Sequence, residues 1–546
     1  MRAALLAGAM MAIAIWDPSA HAATPLWHVT KTEWTDADEK GFGDFVRGIA
    51  ESDCSTTIEC LKGPANPYRD SDPEQLAFIA DCADFPYMLR AYYAWKNGLP
   101  FTYINEISGA GADIRFSHGA NRPLARRNIG DNGAGVNALD VLTDIHMHVS
   151  SATYRMDAAA EDGSKLDFYS PKIRPGAIHP GTVIYDINGH VTTVYKIDPD
   201  GRVYYVDASP DHLVTRHMYG AQFGQSQAEL GGGFKNWRPI TLVGARKASD
   251  GNLIGGHIVL APNAEIDDFS LEQYQGNVPG ETADGVGAFF QYNTVPLSLY
   301  EYVRVSLSGG KMNFNPVYQL RESIATLCGE VKDRVQAVDQ ATADRIDAKP
   351  QPAHLPNNIY GSDSDEWETY ATPARDAQLR YDFGQAYQDL RTMIMLWQER
   401  DKRIAYDGIS LKQDLQQAYA DEAKQCQLTY INSDGAPVTL GYDEIVHRLF
   451  AMDFDPYHCV ERRWGATGAE LSSCKDDATK ARWYAGEQRL RNQVERNDDH
   501  MGFSLDQLEN HANGTGPEDP PPLDVKALID GIGYQIAYQP MKPVGF

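Results

Sequence analysis

Long apolar runs are missing from this 546-residue sequence. Beyond the first fifteen positions no stretch approaches the 18 or so uncharged apolar residues that a membrane-crossing helix needs. Basic charge is also scarce, with 49 Lys and Arg against 75 Asp and Glu and a formal net charge of -26. Such a surface repels phosphate backbones and anionic headgroups, so nucleic acid is not an expected partner. No repeat of fixed period occurs, which argues against a solenoid or propeller. No acidic or cysteine partner is spaced to join His146 and His148 on a metal, and neither a metal nor a cofactor is expected. Cysteine is sparse and odd in number, at seven.

The amino terminus has the layout of a secretory signal peptide over residues 1–22. Arg2 precedes an apolar run from Ala3 to Ile15, Asp17-Pro18 breaks it, and Ala20 and Ala22 supply the small residues of a cleavage site. Export implies an oxidising compartment, where cysteines pair. Cys54 with Cys60, Cys459 with Cys474 and Cys328 with Cys426 are the pairs that spacing suggests, although six cysteines admit 15 connectivities. Cys82 is then left over, and an unpaired thiol in an exported chain needs a reason.

With 42% hydrophobic residues the chain can bury a substantial core, and its length suits roughly three domains of about 150 residues. Residues 23–75 read as an N-terminal extension. Residues 76–262 read as one domain carrying an insertion at 105–178 that folds away from any cleft. Residues 263–315 are a connecting segment, 316–512 a mainly helical domain, and 513–546 a tail containing the linker-like "NGTGPEDPPPLD". The fold class expected is α+β. In "DCADFPYMLRAYYAWKNGLPF", residues 81–101, Phe85, Met88, Leu89 and Tyr92 recur on one helical face; Gly98 and Pro100 end the helix, and Pro86 must lie in its first turn. Cys82 therefore stands at or just before a helix N-terminus. Residues 182–187, 190–197 and 202–208 alternate as strands around Asn-Gly and Asp-Pro-Asp-Gly turns and form a meander.

A thiol attacks as thiolate, and a helix N-terminus favours that form while offering N–H groups to an oxyanion. It still requires a base and a group to orient that base. His190, at the start of the middle strand, is the candidate base, and Asp207, at the end of the next, the candidate orienter. If Asp198 and Gly201 pair directly, 192 faces 207, and His190 and Asp207 become diagonal neighbours on one face; a bulge at Gly201 would shift the phase by one residue. His257, backed by Asp267 or Asp268, is a rival base. His146 and His148 point about 200° apart on a helix and do not converge on one ion. Asp84, if ionised near the sulfur, would oppose the thiolate.

Cys82 before its helix, "GLPF" at the end of that helix, "GHVTTVYKI" and "GRVYYVDASPD" resemble the Cys, His, Asp order of transglutaminase-like cysteine hydrolases, relatives of the NlpC/P60 peptidases. The resemblance covers residues 75–210. It implies a papain-like core, a nucleophile helix packed on an antiparallel sheet, followed here by a mainly α-helical domain. It also implies Cys82 as nucleophile, His190 as general base and acid, and Asp207 as orienter. Gln75 resembles the papain-like oxyanion-hole glutamine in placement, and Trp237 in "GGGFKNWRP" is a candidate wall of a substrate groove. More than one hundred positions separate Cys82 from His190, longer than compact relatives show.

The function so implied is that of a bacterial, periplasmic or secreted cysteine hydrolase of the cell envelope. It would cut peptide or isopeptide bonds, peptidoglycan among the substrates, or pass the acyl group to an amine. The helical domain is a candidate surface for a protein partner. The rival classes are a non-catalytic envelope scaffold on the same fold and a carbohydrate-active enzyme using two carboxylates.

Overall fold

The computed structural model describes residues 25–533 apart from 112, 131–134, 161–164, 188, 211, 221–222, 279, 281–287, 312, 361–364 and 495–500. The expected signal peptide, Asn188 of the Asn-Gly turn and the end of the tail lie outside the described residues. Helix and strand account for 40% and 19% of the chain, and the fold is α+β. Among the described residues no helix is long and apolar enough to cross a membrane.

The elements that place the site run in chain order. Helix α1 (Asp36–Ala50) starts on a Thr35–Asp38 capping box. Helix α2 (Phe85–Asn97) follows Cys82, and strands β1 (Phe101–Ser108) and β2 (Arg122–Ile129) form a ribbon after it. Helix α3 (Ala138–His148) precedes the sheet strands β3 (Phe168–Tyr169), β4 (Val183–Tyr185), β5 (Val191–Ile197), β6 (Val203–Ala208), β7 (Val214–Met218) and β8 (Gly233–Trp237). The sheet is antiparallel, in the order β3-β8-β4-β5-β6-β7. Three long helices dominate the second half: α4 (Pro316–Ala343), α5 (Pro373–Gln398) and α6 (Leu411–Gln425).

Helix α2 is buried on every side from Phe85 to Ala94, more widely than its one-face pattern predicts. Even Arg90 is inside: its guanidinium grips the Glu39 carboxylate with two 2.6 Å bonds and lies 3.3 Å from the centre of the Trp34 ring. Pro86 sits in the first turn, where its missing N–H costs no helical bond. Gly98 closes the helix with φ 62°, and a Cβ there would stand 2.3 Å from Thr30 Oγ1. Each large apolar side chain so enclosed contributes about 1.5–3 kcal/mol.

The sheet is covered on both faces. Val183, Tyr185, Val191, Val206 and Ala208 join the core around α2, while Ile184, Val194, Val203 and Tyr205 join a second core with Tyr300 and Val303. The described residues of 263–315, Phe290, Leu297 and Val303 among them, thus pack as a layer and are not merely a connection. The tail also packs in part, since Leu523, Val525, Leu528 and Ile529 enter the helical core. The three disulfides form as spacing suggested, Cys54–Cys60, Cys328–Cys426 and Cys459–Cys474, and Cys82 is free. Three disulfides fit an extracytoplasmic chain.

Candidate active site

Cys82 lies in the turn that leads into α2. Asp81 Oδ1 accepts bonds from the Ala83 and Asp84 N–H groups, 2.7 and 3.2 Å, and its carbonyl receives Phe85 N–H at 3.1 Å. The sulfur is half-buried, 3.9 Å from the Gly189 carbonyl oxygen, and it lines the same cavity as the His190 ring, whose charged form it favours. On the far side of that ring Nε2 meets Asp207 Oδ2 at 2.6 Å, which leaves Nδ1 for the sulfur. Thr215 Oγ1 donates to the other Asp207 oxygen and fixes the carboxylate.

The register that brings His190 to Asp207 arises from two irregularities. Gly201 takes φ 84°, its N–H bonding Asp198 C=O and Asp198 N–H bonding Arg202 C=O, so the turn is one residue longer than direct pairing of 198 with 201. Ile197 then faces Val203 and Lys196 faces Tyr204. A bulge at Tyr195 takes up the extra residue, after which Val194 faces Tyr205 and Thr193 faces Val206. Continued one step, 192 faces 207, and His190 is the diagonal neighbour.

Electrostatics tighten the group. Burial works against a charged His190, but the bonds to Asp207 and Cys82 outweigh it and push the imidazole up to about 10. Burial likewise opposes an ionised Asp207, yet His190, His217 and Thr215 hold its carboxyl below the usual carboxylate range. Asp84, 1% exposed, pairs with His146 Nδ1 at 2.6 Å. Burial and nearby Asp81 push Asp84 up to about 8, and the bond to Asp84 raises His146. Both shifts favour a proton held by this pair, which offsets the charge of the Asp84 carboxylate.

The remaining predicted residues fall elsewhere. Gln75 is exposed in a turn, outside the lining of the cleft. Trp237 packs against Tyr87, Phe101 and Phe168 in the core, because its strand parity turns it toward α2. His257 is exposed on a separate ribbon with Ile240–Val243. The stretch 105–178 does not fold away: it contributes β3 to the sheet, His146 to Asp84, and Arg115, Phe116, Ser150 and Ser151 to the cleft. No local pattern signals those four residues, since only tertiary packing turns them inward.

The cleft is a cavity of about 240 Å³, and one wall belongs to the helical half, with Glu330 and Asp333 from α4 and Arg375 and Asp382 from α5. Sequence reading missed this wall. The described residues spaced to hold a cation lie away from the cleft. One such set, Asp453, His458 and Glu487, is fully buried, with Arg491 Nη1 3.4 Å from Asp453 and 3.9 Å from Glu487 already supplying positive charge. No family model, curated protein or solved structure matches this chain.

Proposed function

We propose that this protein is an exported bacterial cysteine hydrolase built on a papain-like core, periplasmic or secreted, which cuts peptide or isopeptide bonds of the cell envelope, peptidoglycan stem peptides included. The observation that carries the reading is the one free thiol of the chain, sharing a cavity with an imidazole that is held through Nε2 by a buried carboxylate at 2.6 Å. Six of seven cysteines are consumed in disulfides, and the seventh stands where a nucleophile would.

In this mechanism the Cys82 thiolate adds to the amide carbonyl carbon, and the new oxyanion forms in the cavity that Cys82, at the turn before α2, and Ser151 line together. The C–N bond breaks as His190 imidazolium gives its proton to the departing amine, leaving a thioester. Water, deprotonated by His190, then cleaves the thioester to release the acid and the thiol; an amine in place of water would yield a new amide. Asp207 keeps Nδ1 aimed at the sulfur and stabilises the imidazolium.

Cys82→Ala is expected to lose roughly 10³-fold or more of amidase activity on envelope-derived peptides while keeping its circular dichroism spectrum. Iodoacetamide at pH 7 is expected to label Cys82 in the native protein faster than a free model thiol. Retained activity in the variant removes Cys82 from the mechanism. A native thiol that reacts no faster than the model favours a non-catalytic scaffold.

A further inference from the structure

The helical wall of the cleft takes no part in attack or proton transfer, yet it concentrates carboxylates. Glu330 and Asp333 lie one turn apart on α4, and Asp382 on α5 joins them around the cavity that holds Cys82 and His190. Glu330, its side chain 9% exposed, places Oε1 3.3 Å from His217 Nδ1, while its Oε2 is buried with no hydrogen-bond partner. Asp382 is held by Gln378 Nε2 at 3.0 and 3.1 Å, a neutral donor that brings it no positive charge.

The positive groups of the cavity do not balance this set. His190 is matched to Asp207 and His217 to Glu330, and Arg115 is tied to Asp113 at 2.6 Å. Arg375, the other arginine of the lining, acts on Asp333. In keeping with that surplus, burial raises Asp333 to about 6 and Asp382 well above the usual carboxylate range. Desolvated carboxylates facing an opening are relieved by an incoming cation. A metal ion suits them poorly, because the cation-spaced sets among the described residues lie elsewhere. A compact ammonium with three donors suits carboxylates that approach from two helices.

We propose that Glu330, Asp333 and Asp382 form a subsite for a primary ammonium group, so that the favoured substrates carry an amino group, on a lysine-like side chain or a free chain end, close to the scissile carbonyl. The word substrate rests on the hydrolase reading; the subsite itself is a claim about binding. The test is therefore calorimetric titration of Cys82→Ala with three pentapeptide amides: acetyl-Ala-Ala-Lys-Ala-Ala, its Nε-acetyl-lysine analogue, and the latter with a free amino terminus. At least one ammonium peptide is expected to bind about tenfold or more tighter than the neutral one, and the two arms tell side chain from chain end. Asp382→Asn and Glu330→Gln, each added to Cys82→Ala, are expected to reduce that ratio to within about threefold. Equal binding of all three peptides, no measurable binding of either ammonium peptide at millimolar concentration, or an undiminished ratio in both variants overturns the subsite. Cleavage by the wild-type protein is scored separately: an ammonium preference in binding without turnover would overturn the hydrolase reading and leave the subsite standing.

Discussion

At the residue scale the properties of His190 and Asp207 follow from what each touches. His190 is raised from 6.5 to about 10, so its protonated form is favoured in the folded chain. The stability this contributes is complete below about pH 6.5 and is lost as pH rises through about 10. In the proposed reaction the alkaline limb of kcat/KM is expected near pH 10, and Asp207→Asn is expected to move it to lower pH while lowering kcat roughly 10²- to 10⁴-fold. A pH-rate profile of both proteins checks this, and an unmoved limb would detach Asp207 from His190. Cys82, His190 and Asp207 were legible as residues because odd cysteine parity, a helix start and two strand ends are local signals. The Asp84–His146 pair was not. His146 sits on a separate helix 62 positions from Asp84, and only packing of α3 against α2 puts its ring on a buried carboxyl.

At the element scale the β5–β6 hairpin decides whether the site exists. Its long turn and its bulge at Tyr195 offset one another, and losing either alone moves every residue of β5 to the other face relative to β6. Gly201 carries the turn. Its φ of 84° disfavours any side chain, and a Cβ would lie 2.0 Å from the Arg304 carbonyl oxygen. Gly201→Ala is expected to cost about 1–3 kcal/mol in urea unfolding and to lower Cys82 alkylation in the native protein, since the imidazole follows the register. Unchanged stability and labelling would mean that the turn is not what holds the strands in phase. The strands themselves were readable from alternation and turn residues to within a residue or two. The bulge was not, because Tyr195 differs from its neighbours in nothing that sequence displays. Helix α2 was readable in extent through Pro86 and Gly98, but not its burial on all sides, which depends on α1 and α3 arriving from elsewhere in the chain.

At the scale of the whole molecule two halves close one cleft. Arg202 on the sheet side reaches Glu322 of α4 at 2.9 Å and lies 4.4 Å from the centre of the Tyr318 ring, while His217 meets Glu330. Within the helical half Arg334, with no side-chain exposure, holds Asp376 through bonds of 2.7 and 3.0 Å and the Asp453 carbonyl at 2.8 Å. Arg334→Ala leaves a buried carboxylate without its partner and is expected to lower stability by about 3–5 kcal/mol in denaturant titration. A change near zero would show the network to be replaceable. Cys328–Cys426 spans 98 positions and pins α4 to the end of α6, so a double Ser replacement is expected to cost about 2–5 kcal/mol. Alkylation in denaturant without reductant is expected to add one label per chain, at Cys82; more than one would break the pairing that singles this thiol out.

What the sequence determined by itself was local or compositional: the pairing suggested by cysteine spacing, the helix that follows Cys82, the hairpin strands, and the net negative charge. Those depend on spacing, turn chemistry and periodicity within about thirty residues. Tertiary structure alone decided the phase between His190 and Asp207, the contact of Asp84 with His146, and the carboxylate wall built by two distant helices. Contacts between segments separated by tens to hundreds of residues leave no periodic trace, because burial selects residue type but not which partner will meet it.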